Sequence, residues 1–261
     1  MPYATVNAAR IFYEQHGSGE DLILLHGAGG NHLSWWQQVA AFSANYRCTV
    51  YDARGWGLSR GEMGVGRFSL GTDLVALMDH LGIQSAHVVA QSMGGRAVAG
   101  LTRMAPTRVK SLVLCGTTAG CTNDRVRELQ DELKEERGEG GLREHALAKR
   151  FEAANPGMAL LYRQINAINP ARPKGFLGRP PATYRGSMHE GIGALGVPVL
   201  FMVGEYDLIT SPTMIREAQG LIPGAAFHEI KDAGHSAYFE CADEWNRVVG
   251  AFLSSGNTKK P

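Results

Sequence analysis

The sequence predicts an α/β protein with a mostly parallel central sheet flanked by helices. Short continuous apolar runs, typical of strands buried on both faces, alternate along the chain with segments whose apolar residues recur at helical spacing. Several of these runs end directly in glycine-rich or acidic turns. Strands that alternate with helices lie parallel and are joined by right-handed crossovers, and such sheets bind ligands at the carboxyl ends of their strands. Function is therefore expected in the loops that follow the strands.

Composition favours one large domain with an insertion. The chain has 261 residues, 44% of them hydrophobic, and no linker-like stretch divides it. We expect a core formed by residues 1–120 and 197–255, a helical cap inserted at residues 121–196, and a flexible tail at residues 256–261. Lys plus Arg number 26 and Asp plus Glu 25, a balance that shows no nucleic-acid or membrane footprint and favours a small-molecule partner.

Cysteine usage and the N-terminus indicate the compartment. The four cysteines are scattered, without a C-x-x-C pair or metal-ligand spacing, which predicts free thiols in a reducing compartment. The chain begins without a charged segment followed by an apolar core, and no stretch of about 18 consecutive apolar residues occurs. These features predict a soluble cytoplasmic protein. The sequence implies no metal and no organic cofactor.

The first elements lead to a glycine-rich loop. Residues 4–16 alternate around the Asn7–Ala9 turn and predict a hairpin. Leu22–Leu25 reads as a buried strand and stops at His26–Gly30, where three glycines let the backbone approach a ligand closely. Residues 31–45 are expected to form the first crossover helix.

The next stretch predicts a strand, a helix, a strand–turn–helix and a further strand. Thr49–Tyr51 is a strand followed by the turn Asp52–Ser59, and a helix is expected from a cap at Ser69 to Gly82. His87–Gly100 then reads as a strand, a sharp turn and a helix, and a buried strand follows at Val109–Cys115.

The segment between Cys121 and Gly196 has a different, helical character. Asp124–Arg137 predicts a solvated charged helix, and two further helices are expected, the second with Met158, Leu161, Ile165 and Ile168 along one stripe. The chain then returns irregularly through Pro170, Pro173, Pro180 and Pro181. Beyond this cap the core resumes with a strand, a helix, a strand and a closing helix, predicted at Val197–Val203, Thr213–Leu221, Ala225–Ile230 and Asp243–Leu253.

Ser92 stands at the apex of the strand–turn–helix. Its neighbours Ala90 and Gly94 are small, as they must be where a strand and a helix pass closely around a strained turn. Ala90 departs from the usual G-x-S-x-G pattern but still fits this steric demand. The helix that starts at Met93 would direct free N–H groups toward an anion beside Ser92. A serine that only caps a helix has a similar local sequence. The choice between a nucleophile and a capping serine therefore depends on the other side chains of the site.

A nucleophilic serine needs a base to take its proton, and His235 is the best candidate. It follows a predicted strand on the same sheet edge as Ser92 and is preceded by Gly234. His26 is the main competitor, but it precedes a loop suited to backbone donation, which favours a structural ring. The other histidines read as surface or core residues: His16, His32, His80, His87, His145, His189 and His228.

The base in turn needs an acceptor that fixes its tautomer and stabilises its charged form. Asp207, just past another strand end, fits this role, with Glu205 as the alternative. Asp232 is too near His235 along the chain to face its ring correctly. The oxyanion donors would be the backbone N–H groups of Ala28 and Met93. Possible pocket residues are Gly29, Trp56 and Gln91.

The chain resembles α/β-hydrolase-fold proteins over nearly its whole length. The segments that carry the resemblance are His26–Gly30, Asp52–Ser59, Gln91–Gly95, Gly204–Asp207 and Ala233–Glu240. The order Ser92, Asp207, His235 is the order in which triads of this fold occur. Within the fold, the run Arg108–Ala119 and the short helical cap are similar to 3-oxoadipate enol-lactonases and their esterase relatives.

The resemblance implies a hydrolase that uses Ser92 as nucleophile. The leading hypothesis is cleavage of a small carboxylic ester or lactone through an acyl-enzyme. Epoxide hydrolases and haloalkane dehalogenases carry aspartate at this position and are excluded. Carbon–carbon bond hydrolases of the meta-cleavage-product type and cofactor-free haloperoxidases or perhydrolases remain as alternatives. The non-enzyme alternative is a small-molecule receptor on the same fold.

Overall fold

The computed structural model describes residues 2–61, 70–138, 141–173, 176 and 188–256. Over these residues nine strands form one sheet in the order β1-β2-β4-β3-β6-β7-β8-β9, with β5 paired to β2. From β4 to β9 every neighbouring pair is parallel, which confirms the predicted mostly parallel sheet. The strands are β1 Tyr3–Val6, β2 Ala9–His16, β3 Glu20–Leu25, β4 Tyr46–Tyr51, β5 Arg60–Gly61, β6 Ala86–Gln91, β7 Val109–Cys115, β8 Val199–Gly204 and β9 Ala226–Ile230.

Helices cover both faces of the sheet. The described helices are α1 Trp36–Phe42, α2 Leu70–His80, α3 Gly94–Met104, α4 Asp124–Arg137, α5 Lys149–Ala154, α6 Pro156–Ala167, α7 Met188–Gly193, α8 Pro212–Gly220, α9 Ala237–Glu240 and α10 Ala242–Gly256. Alternate residues of each central strand feed two apolar layers. Ile23 and Leu25 pack in the layer with α2, α3 and α8, whereas Leu22 and Leu24 pack in the layer with α1 and α10. The sheet is therefore buried on both sides, as the continuous apolar runs predicted.

The opening hairpin forms as predicted. Asn7 and Ala8 connect β1 to β2 with φ of 46° and 59°, and Val6 pairs directly with Ala9. Two consecutive positive φ angles are the backbone of a two-residue hairpin turn whose twist matches that of the strands.

The first crossover helix differs from its predicted span. A 3-10 turn at His32–Trp35 precedes α1, which ends at Phe42 rather than at residue 45. The reason is local, because the Asn31 side chain accepts a hydrogen bond from the Leu33 N–H and the Ser34 hydroxyl accepts one from the Asn31 N–H. This reciprocal cap fixes a tight first turn.

Two short helices are absent from the sequence prediction. The six-residue α7 contains two glycines, and α9 has only four residues, so neither offers a periodic apolar signal. At the C-terminus α10 continues through Gly256, the first residue of the predicted flexible tail. The expected cap at Ser69, the prolines Pro180 and Pro181 and the rest of the tail lie outside the described residues.

Two further observations concern the predicted compartment. The four cysteines are free thiols, as predicted. Over the described ranges, no helix combines the length and the apolar character that a membrane crossing requires.

Candidate active site

Ser92 occupies the junction between β6 and α3. Its φ of 49° lies in the left-handed region, the strained conformation predicted for an elbow. The Ser92 N–H donates to the Cys115 carbonyl at 3.0 Å, and the Ser92 carbonyl accepts from the Gly95 N–H at 3.0 Å. The first bond ties the turn to the neighbouring strand and the second starts the helix, so the backbone holds Ser92 where the two elements meet.

Close packing around the elbow explains the small neighbours. A Cβ on Gly94 would lie 2.6 Å from the carbonyl oxygen of Leu25. A Cβ on Gly27 would lie 1.8 Å from Gln91 Oε1 and 3.2 Å from the Cβ of Ser92. The glycine-rich loop after β3 thus runs directly beside the serine, where a larger side chain would separate them.

His235 and Asp207 form a buried hydrogen-bonded pair. His235 Nδ1 lies 2.8 Å from Asp207 Oδ2, and the two residues are 5% and 2% exposed. Asp207 Oδ1 accepts the N–H groups of Ile209 and Thr210 at 2.7 and 2.8 Å, and Oδ2 also accepts the Thr210 hydroxyl at 2.8 Å. The other contacts of the Asp207 carboxylate are all with N–H or O–H donors, so the carboxylate acts as an acceptor. Nδ1 of His235 therefore carries the proton of their hydrogen bond, and Nε2 is left as the acceptor of the ring.

The loop of His235 is also held from the elbow. Gln91 Nε2 donates to the His235 carbonyl at 3.3 Å. Gly204, at the end of β8, packs so closely on this loop that a Cβ there would lie 2.1 Å from the Gly234 carbonyl oxygen. Strand ends β6, β8 and β9 therefore converge on one place, as the parallel sheet predicted.

The two alternative acids lie away from the His235 ring. Glu205 accepts the Asp232 N–H at 3.1 Å and the Lys231 ammonium at 3.4 Å. The Asp232 N–H and then the Lys231 side chain lower the pKa of Glu205. Asp232 itself forms an ion pair with Arg150. Of the three carboxylates, Asp207 is the one that contacts His235.

His26 has a structural place. Its Nε2 accepts the Ala53 N–H at 3.0 Å, so the proton is on Nδ1, which donates to the Gly27 carbonyl at 2.7 Å. Burial lowers the pKa of His26, which keeps the ring neutral. The imidazole thereby joins the glycine-rich loop to the turn after β4.

Ser92 and His235 line one cavity of about 660 Å³. The predicted pocket residues Gly29, Trp56 and Gln91 also line it, together with Ala28. Met93 is outside the lining set, but its predicted role concerns only its backbone. Among the described residues neither the Ala28 nor the Met93 N–H donates to another protein group.

Sequence reasoning missed the residues that close the cavity from the segment between β7 and β8. They include Arg143, Glu144, Tyr162, Asn166 and Arg172. Nothing in a helical pattern tells which polar side chains turn toward a distant strand end. Asn169 was missed for the same reason, although it anchors the segment, since its Nδ2 donates to the carbonyls of Gly29 and Gly30 at 3.2 Å and its Oδ1 accepts the Gly57 N–H at 2.9 Å.

The site contains no metal-type cluster. In the part of the chain that the structure describes, no three His, Cys, Asp or Glu side chains gather where they could hold a metal ion. Ser92 and His235 supply a hydroxyl and an imidazole to the cavity, and the carboxylate of Asp207 holds the imidazole.

The model of the alpha/beta hydrolase fold family matches residues 22–242, from β3 to the start of α10. The chain belongs to the α/β-hydrolase fold family. This α/β hydrolase has the same chain order of serine, aspartate and histidine as the triads of that fold.

Relatives of this α/β hydrolase carry several activity names. A Mycobacterium tuberculosis protein with the provisional name non-heme bromoperoxidase BpoC is 29% identical over 260 residues, which cover 93% of this chain and 97% of the relative. The 3-oxoadipate enol-lactonase 1 of Acinetobacter baylyi is 26% identical over 238 residues, 90% of this chain and 88% of the relative. A solved thermophilic esterase from Thermogutta terrifontis, with malate bound, superimposes with a TM-score of 0.79 at 25% identity and covers 98% of both chains.

Proposed function

We propose that this protein is a serine hydrolase that cleaves a small carboxylic ester or lactone through an acyl-enzyme on Ser92. The observation that carries the proposal is the shared cavity of Ser92 and His235, with the His235 imidazole held by Asp207 at 2.8 Å. A buried acceptor on Nδ1 leaves Nε2 free to take a proton from a hydroxyl.

In the proposed first half-reaction Ser92 Oγ attacks the substrate carbonyl carbon while Nε2 of His235 takes the hydroxyl proton. Asp207 Oδ2, the acceptor on Nδ1, stabilises the imidazolium that forms. The N–H groups of Ala28 and Met93 would bind the oxyanion of the tetrahedral intermediate. When the intermediate collapses, the imidazolium gives its proton to the departing alcohol oxygen.

In the second half-reaction water replaces the alcohol. Nε2 of His235 takes one proton from the water as its oxygen attacks the acyl carbon. Collapse of the second tetrahedral intermediate returns that proton to Ser92 Oγ and releases the carboxylic acid. The net change is one water consumed and one ester bond broken, with no redox step.

We also propose that residues 121–196 act as the cap of this site. The described part of this segment supplies cavity walls and hydrogen bonds to the core, as when the Asn31 side chain donates to the Ile165 carbonyl at 2.7 Å. The free cysteines favour action in the reducing cytoplasm.

The test is steady-state turnover of chromogenic short-chain esters and of lactones. Ser92→Ala is expected to lower kcat by at least about 10³-fold, because it removes the nucleophile. Ser254→Ala is the matched control, since this exposed serine near the end of α10 donates to the Gly250 carbonyl and is not among the residues that line the cavity. Thermal unfolding of both variants checks the fold. Equal turnover in the wild type and Ser92→Ala would overturn the proposal.

Further substrates separate the alternatives. A carbon–carbon bond hydrolase would cleave a ring-opened dienoate and leave simple esters nearly untouched. A haloperoxidase or perhydrolase would need hydrogen peroxide for product formation. A receptor would bind ligand without multiple turnovers. Faster turnover of the dienoate, or of a peroxide-dependent reaction, than of the ester and lactone panel would overturn the proposed substrate class. Ligand binding without turnover of any substrate would favour the receptor.

A further inference from the structure

Two arginines, Arg143 and Arg172, line the cavity that contains Ser92 and His235, and its acidic lining is Glu144. Neither guanidinium has a carboxylate within ion-pair distance in the described part of the chain. Other arginines are paired with acids, including Arg47 with Asp21, Arg54 with Asp73 and Arg163 with Glu152. With two arginines and one glutamate, the lining of the cavity carries a net positive charge.

Arg172 is held in a defined position. Its Cζ lies 4.1 Å above the centroid of the Trp56 ring, and its Nη1 donates to the carbonyls of Gly55 and Pro170 at 3.0 and 3.2 Å. The Trp56 indole is fixed in turn, because its Nε1 donates to the Ala28 carbonyl at 2.8 Å. This chain of contacts fixes the guanidinium beside the loop of the proposed oxyanion hole.

Part of the Arg172 hydrogen-bonding capacity is unused. The carbonyl bonds occupy Nη1, and among the described residues Nε and Nη2 have no acceptor. These two nitrogens form one edge of the planar fork, whose donor spacing matches the two oxygens of a carboxylate. Burial lowers the pKa of Arg172, and the nearby charge of Arg143 lowers it further, which reflects a cation held without its counter-ion.

A simpler explanation of the Arg172 position is an arginine whose aliphatic part packs on an aromatic ring while its guanidinium is hydrated. Its side chain would then extend its whole fork into water. Nη1 of Arg172 instead donates to two backbone carbonyls, which orients the guanidinium plane. Among the described residues, the edge formed by Nε and Nη2 is left for a ligand.

We propose that the substrate carries a carboxylate, separate from its ester or lactone carbonyl, which the Nε and Nη2 edge of Arg172 binds. Arg143 adds long-range attraction from the same cavity. The inference rests on the proposed function and refines it, since it assigns an acidic substrate class to the same site.

The test compares matched pairs of esters. Mono-4-nitrophenyl adipate and 4-nitrophenyl 5-carbamoylpentanoate differ only by a carboxylate in place of a neutral amide on the acyl chain. The 4-carboxyphenyl and 4-carbamoylphenyl butyrates place the same difference on the alcohol side. The wild type is expected to favour the anionic member of one pair in kcat/KM. In Arg172→Gln this preference should fall about 10- to 100-fold, the range set by charge-assisted hydrogen bonds.

Two further variants sharpen the comparison. Arg125→Gln makes the same chemical change on α4, where the guanidinium pairs with Glu128 and Glu132, and should leave the preference unchanged. Arg172→Lys keeps the charge but loses the fork, so an intermediate loss is expected. An equal preference in the wild type and both Arg172 variants would overturn the inference while leaving the hydrolase intact.

Binding gives a readout that does not depend on turnover. Titration calorimetry should detect adipate binding to the wild type, weaker binding to Arg172→Gln, and little binding of neutral adipamide. If neither ester pair is cleaved but adipate still binds through Arg172, the proposed hydrolase function fails and the anion site stands. If adipate and adipamide bind alike and Arg172→Gln changes neither, the anion site is overturned.

Discussion

Asp207 accepts hydrogen bonds on both carboxylate oxygens, which makes its charge and its orientation separable by mutation. Asp207→Asn keeps the shape but places an amide N–H₂ on one side of a site built from donors. On the Oδ2 side the amide would oppose the Nδ1 proton of His235, and the imidazole would shift toward the wrong tautomer. On the Oδ1 side it would oppose the N–H groups of Ile209 and Thr210 and disturb the loop that holds the side chain. We expect kcat for a chromogenic ester to fall about 10³- to 10⁴-fold.

Glu205→Gln and Asp232→Asn are the matched controls for this change. Both residues lie on the same loops but contact Lys231 and Arg150 rather than the His235 ring. Their kcat values should stay within about threefold of the wild type, as expected for groups at the surface. A large loss in Glu205→Gln together with an active Asp207→Asn would reverse the assignment.

The positions of Ser92, Asp207 and His235 were predictable from sequence because each residue follows a strand of a parallel sheet. The choice of Asp207 over Glu205 assumed that the loop after β8 directs the Asp207 carboxylate toward His235. In the structure Asp207 contacts the His235 ring and Glu205 does not. Arg143, Arg172 and Tyr162 were not predictable, because their approach to the cavity depends on how the segment between β7 and β8 packs over the strand ends. Sequence periodicity describes a helix face, but it does not specify which neighbour that face will meet.

At the scale of elements, the junction of β6 and α3 depends on the absence of a side chain at Gly94. In Gly94→Ala the new Cβ would meet the Leu25 carbonyl oxygen at 2.6 Å and the Leu25 Cβ at 2.9 Å, and both belong to the central strand β3. The helix would have to move away from the sheet. We expect the free energy of unfolding to fall by about 1–3 kcal/mol and ester turnover to fall with it, measured by denaturant titration and steady-state kinetics.

Gly220→Ala tests whether the effect is local. A Cβ at Gly220, at the end of α8, meets no atom within 4 Å. An alanine there should be neutral or stabilising by up to about 1 kcal/mol, because it restricts the unfolded chain. If both variants were equally destabilised, close approach of the strand would not explain the small residue at the elbow.

Local capping decided which element bounds were predictable. Helix α4 spans Asp124–Arg137 as predicted, because the Asn123 side chain accepts the Val126 N–H at its start and Gly138 ends it with a φ of 63°. The sequence therefore contains both ends of this helix. The short helices α7 and α9 carry no such pair of signals, whereas the 3-10 turn before α1 is fixed by its local cap at Asn31.

At the scale of the whole molecule, one carboxylate links the proposed cap to the loop of His235. Glu240 Oε2 accepts the Ala148 N–H and the Gly234 N–H, both at 2.9 Å. Its other oxygen, Oε1, has no partner within the described residues. Burial raises the pKa of Glu240 to about 7, with a smaller contribution from the charge of Asp207, although the backbone N–H groups of Ala148, Gly234 and Ser236 oppose the shift.

This pKa shift makes stability depend on pH in a defined direction. The folded protein holds the Glu240 proton more tightly than the unfolded chain, so this residue favours folding at low pH. The contribution is lost as pH rises from the ordinary glutamate value of 4.5 to about 7, and its full size is about 3 kcal/mol. Glu240→Gln stays neutral and can still accept both N–H groups. Its free energy of unfolding, relative to the wild type, should therefore increase between pH 5 and pH 8, as measured by urea titration.

The comparison must be a difference between two proteins, because other groups titrate in the same range. Burial lowers the pKa values of His26 and His87, so their contribution to the free energy of unfolding is lost as pH falls below about 6.5. This is the opposite direction to the effect of Glu240. Glu240→Gln leaves both rings in place, and their contributions cancel in the difference. Asp131→Asn, a carboxylate-to-amide change on the exposed face of α4, is the control measured in parallel. A difference between the wild type and Glu240→Gln that is constant from pH 5 to pH 8 would mean that the bridge is ionised throughout. The cap would then be tied to the His235 loop by a permanent charge and not by one that titrates near neutrality.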